Sequence, residues 1–83
     1  MHITVKYFAS IREALGQGSE GMDTAAPTVA ALRDALIQRG GAYADALARS
    51  RNVRAALNQV LVDEQATLHE GAEVAFFPPV TGG

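Results

Sequence analysis

Apolar and polar residues alternate over residues 2–8, which is the pattern of a strand with one buried face. Ile3, Val5 and Tyr7 would share that face, and the residues between them would share the other. Phe8 follows directly after Tyr7 and therefore falls out of phase. We expect this first strand to place three large side chains in the core and to leave Phe8 outside it.

A helical period replaces the alternation after Pro27. Thr28 is a candidate N-cap, and Gly40 with Gly41 ends the periodic run. Three alanines, which favour helix, stand between the apolar positions. We expect this segment to be the main helix and to cross the inner face of a sheet. Its apolar residues recur at intervals of three and four: Val29, Leu32, Leu36 and Ile37.

Shorter segments give the order of the remaining elements. Residues 9–15 have the spacing of a short helix that Gly16 closes, and residues 43–47 indicate one more helical turn. Asn58 and Gln59 suit a tight turn between two strands. The other expected strands are residues 20–24, in a hairpin with the first strand, and then residues 53–57, 60–62 and 73–77.

This order of elements predicts an α+β fold. A mixed sheet wrapped over one main helix is the simplest way to bury the apolar face of each. The β-grasp fold, which is the fold of ubiquitin, fits the order best. We therefore expect a β-grasp domain over residues 1–77, followed by a protruding, flexible arm over residues 78–83 that ends in two glycines.

The expected arm begins with Pro78 and Pro79, neither of which can donate a backbone hydrogen bond to a sheet. The two prolines stop strand pairing and favour a stiff, extended chain. Residues 80–83 then carry almost no side chain at their tip. Such a segment is suited to enter a narrow channel in another protein.

The composition excludes several classes of function. Nine acidic and seven basic residues give a net charge of -2 without a basic cluster, so nucleic acid is not an expected partner. No cysteine is present, which excludes a disulfide framework, a cysteine-based zinc site and a thiol nucleophile. We see no signal peptide and no apolar run of the roughly 20 residues that cross a bilayer. We expect a cytoplasmic protein without a membrane partner.

The polar residues form no recognisable catalytic or metal site. His2 and His69 are far apart in sequence and lack neighbours at the spacing of metal ligands. The chain has neither a phosphate-binding glycine motif nor a nucleophile elbow. The terminal carboxyl group of Gly83 is left as the candidate reactive group, because transfer of an adenylyl group would make it an electrophile. Glycine leaves the carbonyl open to attack from either face.

Three large apolar residues fall on the outer face of the expected sheet. Phe8, Leu61 and Phe77 are each out of phase with the inward residues of their strands. Leu61, for example, lies between Val60 and Val62, which would both face the helix. Single exposed apolar residues are common, but three on neighbouring strands predict a contact surface. Because Phe77 precedes the arm, a partner could bind this surface and the arm together.

The chain ends in the run from Glu73 to Gly83, EVAFFPPVTGG. This run looks like the carboxyl-terminal signature of the MoaD family, the small sulfur-carrier subunits of molybdopterin synthase. Weaker similarities lie at residues 8–13, 27–29 and 56–59, so the resemblance extends over essentially the whole chain. The fold that it implies is a β-grasp, ubiquitin-like carrier.

The resemblance implies a non-catalytic, sulfur-donating subunit that binds no cofactor or metal itself. An adenylating E1-like enzyme would use ATP to place AMP on Gly83, and a sulfur-donating enzyme would supply the sulfur of a terminal thiocarboxylate. The arm would then enter the active site of the large, catalytic subunit within a heterotetramer, and the sulfur would pass to cyclic pyranopterin monophosphate. The implied contacts are Phe8, Arg12, Leu61 and Phe77 on the body, with Pro78, Pro79, Val80, Thr81 and Gly82 in the channel.

Three alternatives remain open. The chain could carry sulfur for thiamine synthesis or for a tRNA base, although the Phe-Phe-Pro-Pro-Val-Thr approach to the glycines is unlike those carriers. It could be a modifier that is joined to other proteins. It could also be a β-grasp interaction module whose arm is never activated.

Overall fold

A computed structural model describes residues 1–79 and places the alternating amino-terminal segment in a strand, β1 (His2–Tyr7). Ile3 and Val5 are fully buried and Tyr7 is nearly so, whereas the residues between them are more accessible. The strand ends one residue earlier than predicted, and Phe8 is the N-cap of the helix that follows. The predicted alternation is confirmed.

The remaining strands join β1 in one mixed sheet. The other elements are α1 (Ala9–Leu15), β2 (Ser19–Asp23), α2 (Val29–Ile37), α3 (Gly41–Leu47), β3 (Arg54–Leu57), β4 (Val60–Val62) and β5 (Glu73–Phe77). The strand order is β2-β1-β5-β3-β4. β1 and β5 run parallel, and the other neighbouring strands run antiparallel. The predicted hairpin of β1 with β2 and the predicted mixed sheet are both confirmed.

The main helix, α2, begins at the cap that the sequence predicts. Thr28 Oγ1 accepts a hydrogen bond from Ala31 N at 3.2 Å, and this satisfies one of the amides that the first turn of a helix leaves unpaired. Val29, Leu32 and Leu36 are fully buried. The apolar stripe read from the sequence is therefore the face that joins the core.

The end of α2 differs from the prediction. The helix stops at Ile37 rather than at Gly40. Gly40 N bonds to Ile37 O and Arg39 N bonds to Leu36 O, both at 3.0 Å, so the last turn tightens to a three-residue spacing. A new helix, α3, then begins at Gly41.

The connection between β3 and β4 is the tight turn that the sequence predicts. Asn58 and Gln59 have φ values of 50° and 69°, which suit the twist of a two-residue hairpin. Asn58 Oδ1 also accepts a hydrogen bond from Glu73 N at 2.9 Å. The turn is thereby tied to the first residue of β5.

The core lies where the three helices pack on one face of the sheet. Leu68, which precedes β5, is buried there. No helix within residues 1–79 has the length and apolarity needed to span a membrane. The buried core consists of Ile3, Val5, Tyr7, Ile11, Val29, Leu32, Leu36, Ala46, Leu47, Ala55, Leu68, Ala72, Val74 and Phe76.

β4 corrects one expectation about burial. Val60 pairs with Leu57 and shares its face of the sheet, yet Val60 is 64% exposed. The reason is that β4 is the edge strand, and the core does not extend beneath its first residue. The expectation that Val60 packs on the main helix is wrong, whereas Val62 does pack against the core.

Candidate functional site

The residues that the sequence assigns to the arm begin directly after β5, the central strand of the sheet. Phe76 is fully buried and pairs with Tyr7 on one side and with Ala55 on the other. Pro78 and Pro79 follow after one further residue and are half-buried. Because β5 is held on both sides at Phe76, the point from which the arm starts is fixed relative to the body.

The remainder of the predicted arm lies outside the described residues. It comprises Val80, Thr81, Gly82 and Gly83. Their predicted entry into a channel, and the predicted reactivity of the Gly83 carboxyl group, therefore stay predictions.

Phe8 and Phe77 are neighbours on the outer face of the sheet. The register pairs Tyr7 with Phe76, so the next residues of the two chains lie side by side, and Phe8 N donates to Phe76 O at 3.1 Å. Phe8 is 46% exposed. Phe77 is half-buried instead of fully exposed, because it lies on the central strand between Phe8 and its register partner Arg54.

Leu61 adds a third apolar side chain to this outer face. The register aligns Ala75, Ala56 and Leu61 across β5, β3 and β4, so Leu61 lies two strands, or about 10 Å, from β5. It is 62% exposed. We call Phe8, Leu61 and Phe77 the apolar outer patch; the sequence predicts their common face correctly, and their contact with a partner stays a prediction.

Arg12, the remaining predicted contact on the body, lies one helical turn after Phe8. Its backbone N bonds to Phe8 O at 3.3 Å, and the residue is exposed. The side chain packs over Gly18, where a Cβ would come within 3.1 Å of Arg12 Nε. The structure therefore brings Arg12 close to the patch through Phe8, and its role in binding stays a prediction.

A buried arginine next to the arm is the main feature that the sequence does not reveal. Arg33 is 3% exposed, and its Nε donates to Leu47 O at 2.8 Å. Its Nη2 donates to Ala48 O at 2.7 Å and to Arg51 O at 3.2 Å, while Nη1 donates to Glu64 at 2.7 Å. The only signal in the sequence is its place beside the buried stripe of α2. Arg33 thereby holds the loop that joins α3 to β3.

Arg49 completes this cluster from the solvent side. Its Nη2 donates to Asp34 at 2.8 Å and to Ala30 O at 3.0 Å, and its Nη1 donates to Glu64. Burial opposes its charge, but the hydrogen bonds to Asp34 and Glu64 raise the pKa of Arg49 above its usual value. The Glu64 carboxylate is thus shared by two guanidinium groups.

A second polar cluster surrounds Glu20, on the β2 side of the sheet. Its carboxylate accepts hydrogen bonds from Tyr7 Oη at 2.8 Å, Tyr43 Oη at 2.9 Å and Arg39 Nη1 at 3.0 Å. Burial disfavours the charged form, yet the hydrogen bonds from Tyr7, Arg39 and Tyr43 lower the pKa of Glu20. Burial and the bond to Glu20 raise the pKa of Tyr7. The cluster joins β1, β2 and α3, which indicates a structural role.

The surface at the start of the arm has an open groove beside each of the two prolines. Within residues 1–79 no three His, Asp or Glu side chains are grouped as metal ligands. Two open grooves flank the prolines: one of about 310 Å³ includes Ile11, Val53 and Pro78, and the other includes Arg54 and Pro79. Such a body can position an arm and present a surface beside it.

Known proteins are similar to this chain along nearly its whole length. The model of the ThiS family matches residues 5–83. The molybdopterin synthase sulfur carrier subunit of Escherichia coli K12 is 43% identical, over 98% of this chain and 99% of its own length. The protein of the same description in Haemophilus influenzae is 37% identical over the same shares.

Solved structures share the fold. Small archaeal modifier protein 1 of Haloferax volcanii has a TM-score of 0.75 at 26% identity, over 95% of this chain and 98% of its own. A complex of subunits 1 and 2 of the molybdopterin-converting factor of Helicobacter pylori 26695 contains a chain with a TM-score of 0.70 at 24% identity, with 100% of each chain covered. The similarity to the Helicobacter pylori chain concerns the fold alone. The predicted β-grasp fold is confirmed.

Proposed function

The chain belongs to the ThiS family, and we therefore propose that it is the sulfur carrier subunit of a molybdopterin synthase. Two relatives of this description, 43% and 37% identical over nearly their whole length, support the proposal. The observation that carries it is the fixed start of the arm. Pro78 and Pro79 come just after the fully buried Phe76, which pairs with a strand on each side and accepts a hydrogen bond from the backbone of the exposed Phe8.

The carrier chemistry that we propose takes place at the carboxyl group of Gly83. An adenylating enzyme would join this carboxylate to the α-phosphate of ATP, and pyrophosphate would leave. A persulfide of the sulfur-donating enzyme would then attack the acyl carbon, and AMP would leave. A thiol would reduce the resulting acyl disulfide, so that the donor leaves as a mixed disulfide with that thiol and the carrier ends in a thiocarboxylate. Since glycine has no Cβ, neither face of the carbonyl is blocked. The adenylating enzyme would use the ATP, and the sulfur-donating enzyme would supply the sulfur.

Delivery of the sulfur depends on a larger, catalytic subunit. The apolar outer patch would dock on that subunit while the arm enters its active site, where the sulfur passes to cyclic pyranopterin monophosphate. Ordering a residue of an arm costs about 1–2 kcal/mol. Pro78 and Pro79 reduce this cost, because they restrict the arm before it binds.

Intact-mass measurement tests the proposal. The chain is incubated with an adenylating enzyme, ATP and a sulfur donor, and then with the large subunit and its substrate. We expect a species heavier by the exchange of one oxygen for sulfur, which returns to the original mass after transfer. A variant without Gly83 is the matched control and should bind the large subunit yet transfer no sulfur. An unchanged mass of the full chain, or transfer by the shortened one, would contradict the proposal.

A second candidate function is that of a protein modifier. The similarity to small archaeal modifier protein 1 of Haloferax volcanii, at 26% identity over 95% of this chain, favours it. On this hypothesis the activated carboxyl group of Gly83 forms an amide bond with a lysine of another protein. Conjugates that survive thiols and denaturants would support the modifier, whereas release of the unlinked chain after sulfur transfer would support the carrier.

A further inference from the structure

The six arginines of the chain fall into two sets. Arg33, Arg39 and Arg49 each form an ion pair with a carboxylate of the body. The second set comprises Arg12, Arg51 and Arg54, and none of these three takes part in an ion pair within residues 1–79. Two members of the second set stand next to the arm.

Arg51 and Arg54 lie beside the two prolines with which the arm begins. Arg54 is the register partner of Phe77 in the sheet. Both arginines line the groove that contains Pro79, and Arg51 also lines the groove that contains Pro78. Both are exposed. We call Arg51 and Arg54 the basic collar.

The body holds the backbone of this collar in place. Arg33 Nη2 donates to Arg51 O at 3.2 Å, and the same guanidinium binds Leu47 O and Ala48 O. Arg54 lies in β3, which pairs with a strand on each side. Because both backbones are already ordered, a partner that binds these side chains need not order the loop as well.

The carboxylates that line the two grooves form no ion pair with the collar within residues 1–79. Glu64 lines the groove with Pro79, but it is engaged by Arg33 and Arg49. Asp45 lines the groove with Pro78 and forms no ion pair with Arg51 in the described part of the chain. The two collar guanidinium groups thus carry positive charge without an ion-pair partner in the described part of the chain, whose net charge over all residues is -2.

We propose that the basic collar binds carboxylates at the rim of the channel into which the large subunit takes the arm. This rests on the proposed function, because it is the arm that brings the rim against Arg51 and Arg54. Guanidinium groups suit the planar, two-point recognition of carboxylates. Charges at the edge of an interface act mainly on the rate of association and on its dependence on salt. The collar therefore orients the body before the arm enters.

Association kinetics with the large subunit test the collar. Arg51→Ala, Arg54→Ala and the double variant are compared with the unaltered chain at about 20 mM and about 300 mM salt. Gln38→Glu is the control, since it makes the same change in net charge as one arginine removal at the exposed end of α2. We expect the double variant to associate about fivefold more slowly at low salt and to lose most of its salt dependence. The control should change the rate less than twofold.

Two results would overturn the collar while leaving the proposed function intact. One is a double variant that associates at the same rate and with the same salt dependence as the unaltered chain. The other is a double variant whose association is slowed by the same factor at both salt concentrations, since lost packing rather than lost charge would then be responsible. Failure of the unaltered chain to bind any large subunit would instead refute the proposed function, and the collar with it. Thermal unfolding of each variant checks whether the fold is kept.

Discussion

Arg33 is the only charged residue in the buried core of residues 1–79. Its guanidinium meets three carbonyl oxygens and the carboxylate of Glu64. Burial of a cation is costly unless its N–H groups find acceptors, and here they do. The residue therefore joins α2 to the loop before β3. This loop contains Arg51, which lies beside the start of the arm.

Replacement of Arg33 should be strongly destabilising. We expect Arg33→Met to lower the free energy of unfolding by about 3 kcal/mol, because the carbonyl oxygens of the loop lose their donors. Urea denaturation measures this. Arg51→Met is the matched control on the exposed loop and should change the free energy by less than about 0.5 kcal/mol. Equal losses in the two variants would show that the buried network is not what stabilises the loop.

Leu61 and Leu68 allow a second comparison at the residue level. Leu61 is 62% exposed on the outer patch, and Leu68 is 4% exposed in the core. We expect Leu61→Ala to keep the free energy of unfolding within about 0.5 kcal/mol and to weaken binding of the large subunit about tenfold. Leu68→Ala should cost about 2–5 kcal/mol of stability. A Leu61→Ala variant that unfolds easily and binds normally would contradict the assignment of the patch.

Among the elements, α2 shows how the backbone amides of a first helical turn are satisfied. The helix receives its cap from Thr28, while two further amides bond to the segment after β4: Val29 N to Ala66 O at 3.1 Å, and Ala30 N to Glu64 O at 2.8 Å. The first turn is therefore satisfied partly by local sequence and partly by tertiary contacts. The cap is visible in the sequence, and the two carbonyl partners are not.

Removal of the cap should weaken the whole fold by a modest amount. We expect Thr28→Ala to lower the free energy of unfolding by about 1 kcal/mol, because Ala31 N loses the Oγ1 that accepts its hydrogen bond. Thr28→Ser keeps the hydroxyl group and should restore most of the loss. Thermal and urea unfolding measure both. A serine variant as unstable as the alanine variant would mean that the methyl group, not the cap, matters.

On the scale of the whole molecule, Glu20 links the stability of the fold to pH. The pKa of Glu20 is lower in the folded chain than its ordinary value of 4.5. Its ionised form therefore stabilises the fold fully above pH 4.5, and the contribution is lost as the pH falls below 4.5 through the lowered folded pKa. Acidification should thus loosen the contacts that Glu20 makes with Tyr7 and Tyr43.

A glutamine variant checks this dependence. We expect Glu20→Gln to be less stable than the unaltered chain at neutral pH, and to lose less stability between about pH 5 and about pH 3. The reason is that the amide does not titrate. Midpoints of thermal unfolding across this range measure the effect. Glu13→Gln, at an exposed position of α1, is the control. Its unfolding midpoints should change with pH in the same way as those of the unaltered chain. Parallel profiles for Glu20→Gln and the parent would contradict the assignment.

The candidate site was predictable from the sequence only in part. The common outer face of Phe8, Leu61 and Phe77 follows from strand alternation, which is a local property of each segment. The half-burial of Phe77 and the exposure of Val60 do not follow from it. They depend on which strand is central and which lies at the edge, and the strand order brings together residues that are distant in sequence.

The sequence by itself determined the elements of this protein, since helix caps, turns and periodicity act between residues a few positions apart. It thus predicts β1, the cap at Thr28, the turn at Asn58 and the proline-led start of the arm. Only the tertiary structure decided which charges are buried or paired, because these depend on contacts between distant segments. Arg33 is buried and holds the loop before β3 through such contacts, whereas Arg51 and Arg54 lie on the surface beside the arm.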